Sequence, residues 1–163
     1  MTRRRSLLAP QGFTLIELLI TVVIVGILAL SAMPLAELAV QRSKESELRA
    51  ALRQLREAID AYRRDVEEGR IPRKALDTGY PPNLDVLVTG VEDEKSPKRE
   101  KIYFLRRIPR NPLVDDPRLS NAETWGKRSY ASAPDDPKPG EDVFDVYPIG
   151  DGVGLNGIPY RSW

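Results

Sequence analysis

Between Phe13 and Ala32 the chain reads FTLIELLITVVIVGILALSA, with Glu17 as its single charged residue. No other feature limits the fold so tightly. About 20 such residues form a helix roughly 30 Å long, the thickness of one bilayer hydrocarbon core. Upstream lie Arg3, Arg4 and Arg5 without any acid, an asymmetry that predicts a cytoplasmic N-terminus and an exported remainder. A carboxylate inside such a run costs about 2.5–3.5 kcal/mol at mid-helix, so Glu17 is expected to have a partner and a task. Two plainer readings compete. A simple signal anchor leaves Glu17 unexplained. A secretory signal cut among the small residues Ala29 to Ala32 has Pro34 close behind the cut and Glu17 inside the run against it.

The rest of the chain excludes a good deal of chemistry. Among 163 residues there is no Cys and no His, which removes disulfides, Cys/His zinc sites and His-dependent triads. Lys+Arg 25 against Asp+Glu 24 gives a net charge of +1, too balanced for a general nucleic-acid binder. Beyond the apolar run, Leu48, Leu52, Leu55, Ile59, Tyr62 and Val66 recur at spacings of three and four, which predicts an amphipathic helix with one buried stripe. The stripe is too short for a strong coiled-coil seam, so packing against the chain's own head is favoured. Gly69 and Pro72 are expected to end this helix. Residues 69–163 hold 12 of the 14 Pro and 9 of the 11 Gly, so little regular helix is expected there. A helical turn or two around Leu84–Val88, a solvated charged loop over Glu92–Lys101, and strands over Lys127–Ser132 and Val143–Ile149 complete the reading.

Gly12-Phe13-Thr14-Leu15-Ile16-Glu17, behind a basic leader and ahead of an unbroken apolar helix, resembles the processing signal of type IV pilins and type II secretion pseudopilins. Pro34 sits where many members carry a helix-kinking proline. In the head, YPPNLDVLV followed by FLRRIPRNP, and later FDVYPIGDGVGLNG, resemble the major pseudopilin, the G type. Two features depart from that pattern: some twelve residues separate Pro112 from Trp125-Gly126, and the tail reads IPYRSW. The resemblance implies cleavage between Gly12 and Phe13 by a prepilin peptidase, with methylation of the new Phe13 amine. Cleavage would leave 22 basic residues against 24 acidic ones. The Glu17 carboxylate of one subunit could then neutralise the Phe13 amine of its neighbour, since either charge alone is expensive in low dielectric.

The expected fold is therefore α+β and pilin-like: a long N-terminal helix, half membrane and half amphipathic, packed on a small antiparallel sheet. Residues 1–12 form a removable leader, 13–34 a transmembrane and filament-core helix, 35–68 its amphipathic continuation, and 69–163 a periplasmic head. The implied function is that of a structural subunit of a type II secretion filament, with a minor pilin or surface-pilus subunit as the alternative. Implied partners are further copies of the chain, minor pseudopilins, the prepilin peptidase, a secretion ATPase with its assembly platform, and the inner membrane, but no nucleic acid. No enzymatic role is expected. Asp115-Asp116 and Asp135-Asp136 each adjoin a proline and read as turns rather than a carboxylate dyad, and Gly150 to Gly154 lacks the helix and Lys-Ser/Thr of a phosphate loop. No cofactor is required. The G-type resemblance implies a calcium site at Asp151, with Asn156 a looser match. The dipeptides Asp151-Gly152 and Asn156-Gly157 read equally well as turns.

Overall fold

The computed structural model describes residues 12–73 and 77–163, the side chains of 30–35 excepted, so residues 1–11 of the expected leader lie outside it. Helix α1 spans Leu15–Glu67, 53 residues. The chain divides into two compact units, one ending at Val40 and one running from Gln41 to Trp163.

In the first unit the described side chains of α1 are exposed, and Leu15 and Val22 keep 81% and 71% of their surface. Among the described residues no helix is long and apolar enough to cross a membrane. Those with described side chains stop at Ala29 within the apolar run, short of the roughly 20 that spanning takes. Pro34 falls among 30–35, so the bend expected there lies outside the described side chains.

In the second unit the spacing of the stripe becomes burial. Leu48, Leu52, Leu55, Ile59, Tyr62 and Val66 are all buried, together with Leu84, Leu87, Leu105, Trp125 and Val146 of the head. The stripe thus serves the chain's own core. Helix α1 ends at Glu67, two residues before Gly69, whose φ of 69° lets its N–H turn back to the Val66 carbonyl at 3.0 Å. A single turn, α2 (Val86–Thr89), follows and buries Leu87. The Asn83 side chain accepts the Val86 N–H at its start, at 3.0 Å.

The α+β architecture with a small antiparallel sheet is as expected, the sheet forming, among the described residues, two separate two-stranded ribbons. In the first, β1 (Val91–Glu92) pairs with β2 (Lys101–Ile102). The charged segment expected as a solvated loop, Glu92–Lys101, is mostly exposed and closes this hairpin, with only its two end residues in strands and an anchor reaching it from outside. Arg70, just past α1, donates to Asp93 Oδ2 at 2.8 and 3.1 Å and to Asp65 Oδ1 at 3.1 Å, and its carbonyl accepts the Glu94 N–H. In the second ribbon β3 (Trp125–Arg128) pairs with β4 (Asp145–Pro148), Trp125 opposite Pro148 and Arg128 opposite Asp145. The expected strand over Lys127–Ser132 starts two residues earlier and stops at Arg128. Beyond that point Ser129 donates its N–H to Lys138 O and Tyr130 to Asp142 Oδ1, so the backbone leaves the ladder. Val143, read as strand, gives its N–H to Pro81 O instead.

Candidate functional site

Two segments carry the functional expectations. At the N-terminal one, Gly12, Phe13 and Thr14 precede α1, and Phe13 keeps 77% of its surface. Among the described residues, a Cβ added to Gly12 would meet nothing within 4 Å. Thr14 caps the helix: its Oγ1 accepts the Glu17 N–H at 3.3 Å and its carbonyl accepts the Leu18 N–H at 3.2 Å. Glu17 is thereby fixed in the first turn, an exposed carboxylate where the helix dipole favours negative charge. The Thr-x-x-Glu spacing of a capping box was visible in the sequence and is the signal that places Thr14.

The C-terminal segment, 150–163, folds back on itself. Gly154 donates its N–H to Ile158 O at 2.9 Å, Tyr160 donates to Gly152 O, and Gly157 to Gly154 O. Asp151 is exposed, and Asn156 Oδ1 accepts the Ile158 N–H at 3.1 Å. The two expected calcium ligands therefore share a loop, but the Asn156 oxygen is engaged within it. Among the described residues no group of three or more acidic side chains could hold a metal ion.

Glu45, three residues before Leu48 and so on the face of the apolar stripe although its charge suggests solvent, is the residue that holds this loop. Only 5% of its surface is exposed. Its Oε1 accepts the Leu155 N–H at 2.8 Å and the Tyr160 hydroxyl at 2.9 Å. Burial pushes the Tyr160 hydroxyl above its ordinary value; Gln41 opposes the shift and Glu45 adds to it, so the group stays protonated and donates.

The two ends of the segment ahead of Trp125 are held together. Trp125 Nε1 donates to Pro109 O at 2.8 Å, and Asn111, fully buried, reaches Thr124 through both its backbone N–H and its side-chain amide. The intervening residues loop outward around Arg110, which donates to Leu119 O and Asp116 O. Asp116 accepts from the Arg118 backbone and guanidinium, the work of a turn. Asp136 pairs with Lys138 at 2.6 Å on the surface.

Residues 9–33 match the family model described as the prokaryotic N-terminal methylation motif. The chain is 28% identical over 131 residues to type II secretion system core protein G of Pectobacterium carotovorum, covering 80% of this chain and 79% of that protein. The core protein G of Klebsiella michiganensis is 26% identical over 144 residues, 86% of this chain and 92% of the relative. The chain thus carries the N-terminal motif of that family model and, over most of its length, is similar to the G-type pseudopilins of type II secretion. The type IV major fimbrial protein FimA of Dichelobacter nodosus is 43% identical, but over 60 residues only, 37% of this chain and 38% of FimA. No solved structure matches the chain.

Proposed function

We propose that this chain is a structural subunit of a type II secretion system, assembling into a short periplasmic filament that drives protein export. The breadth of the likeness carries the reading. Both core protein G relatives align over at least 80% of the chain, head included, whereas the fimbrial likeness covers 37%. A likeness as broad as that to core protein G must take in much of the head, and a shared head supports secretion.

Before assembly the subunit is held in the inner membrane, with its N-terminus cytoplasmic and its head periplasmic. A prepilin peptidase cuts after Gly12, and the new Phe13 amine is methylated. Assembly then withdraws the exposed apolar face of α1 from water or lipid into contacts with other copies. In those contacts Glu17 of one subunit meets the Phe13 amine of the next, and only the register that pairs the two charges avoids burying either alone. The secretion ATPase, its platform and the minor pseudopilins act on the subunit as partners, and the chain itself does no enzymatic chemistry.

Intact-mass measurement on membrane-extracted protein, from cells with and without a prepilin peptidase, tests the processing. A mature chain starting at methylated Phe13 only when the peptidase is present is expected; a start near Met33, or retention of Arg3 to Arg5 in both, overturns the reading. Glu17→Val should leave membrane insertion intact and abolish filament assembly and secretion. Normal assembly of that variant would show that the carboxylate does not set the register.

A further inference from the structure

The G-type resemblance carries an expectation that the C-terminal loop is organised by calcium, and the residues present do not fit that role. Calcium takes about six to eight oxygen ligands, several of them carboxylates. Here Asp151 is a lone carboxylate and the Asn156 oxygen already accepts a backbone N–H. The backbone offers little more. The carbonyls of Gly152, Gly154, Ile158, Pro159 and Tyr160 each accept an N–H from within the same segment.

What the loop does have is a buried anion from another element. Glu45 lies on α1, and its Oε1 collects the Leu155 N–H, the Tyr160 hydroxyl and, at 3.5 Å, the Gln41 amide. Gln41 also donates to the Tyr160 oxygen at 3.3 Å, and Arg49 approaches Glu45 Oε2 at 3.8 Å to balance the charge. Arg49 in turn lies 4.3 Å over the ring of Trp163, which packs edge-on against Tyr160. An ionised acceptor makes each of these hydrogen bonds stronger than a neutral pair would be.

We infer that the Glu45 carboxylate, and not a bound cation, fixes the C-terminal loop of this chain, with Glu45 acting as a positioning residue for residues 152–160. A calcium ion organises a loop by drawing its oxygens inward around a positive charge. Here a carboxylate draws in an N–H and an O–H, so the polarity of the staple is reversed. The inference does not depend on the secretion reading, since it concerns only what orders the loop.

Hydrogen exchange at the Leu155 and Tyr160 amides, measured on the full chain in detergent, tests it. In the unsubstituted protein, exchange should be the same with millimolar calcium as with a chelator. Glu45→Ala should accelerate exchange at both amides about tenfold or more, since an ionised acceptor is lost from a buried site. Glu45→Gln, which retains an acceptor oxygen, should recover most of the protection, and Asp151→Ala should change nothing. Tyr160→Phe keeps the ring in the core and removes only the hydroxyl; it should also accelerate exchange at Leu155, and it decides the matter if Glu45→Ala does not fold. Slower exchange in calcium that Asp151→Ala abolishes would overturn the inference, as would unchanged exchange in Tyr160→Phe.

Discussion

Single residues at the junctions of this head set its response to pH and to substitution. Hydrogen bonds from Arg70 hold the Asp93 carboxyl below the usual carboxylate range. Arg118 does the same for Asp116, and Ser120 for Glu123. A carboxyl depressed on folding adds stability that is whole above its unfolded value and is lost as pH falls through its folded value. Urea unfolding should therefore show a midpoint that is level near neutrality and declines below the ordinary carboxylate range. Arg70→Ala should lower that midpoint at neutral pH and converge with the parent in acid; parallel curves would mean that Arg70 acts by packing alone. Gly90 is a sharper case. Its φ of 77° and ψ of 159° lie in a region that only glycine occupies freely, where another residue costs about 1–3 kcal/mol. An added Cβ would also sit 2.9 Å from the Ile102 carbonyl oxygen. Gly90→Ala should lower the melting temperature by an amount readable in circular dichroism, while a chain such as Gly69→Ala, with open space around the new methyl, should feel only the backbone strain.

At the scale of elements, α1 was legible because a helical period survives any context. All six stripe residues read from spacing are buried, with Ala51, Ala58 and Glu45 beside them. Leu55, fully buried, should cost about 2–5 kcal/mol when cut to Ala, and Leu52→Asp should unfold the second unit outright, both checked by denaturant titration. A soluble, unaltered Leu52→Asp head would assign the stripe to an intermolecular contact. The ribbon β1–β2 was not legible, and the reason is physical. Two-residue strands in a charged segment have no pattern of their own, and this hairpin depends on Arg70 reaching in from the end of α1. Glu45 was hidden for the same cause: its sequence neighbours are polar, and its burial is decided by Leu155 and Tyr160, 110 and 115 positions away. The Trp125-Gly126 phrase is readable in the sequence, whereas the Trp125–Pro109 contact across the preceding segment is not. The N-terminal motif is readable too, and the Thr14 cap follows from its spacing to Glu17.

For the molecule as a whole, the division at Gln41 marks where self-sufficiency begins. Every described side-chain hydrogen bond of the head, including those of Glu45, has its partners at or beyond Gln41. A fragment from Gln41 onward should be soluble, monomeric and cooperatively folded, as judged by sedimentation and thermal melting, while one from about Leu48 should lose loop order through loss of Glu45. An aggregated Gln41 fragment would show that the preceding residues contribute to the fold. The Glu45 staple also sets an order of events. It joins the first turn of the unit to residues that are synthesised more than a hundred positions later, and contacts of that separation form late because a long loop must close first. A chain emerging N-terminus first cannot complete this head piecemeal. Its earliest helical turn stays uncovered until Tyr160 has been made and is free to reach it, so completion of the chain and the final folding step of this protein are bound to occur in sequence.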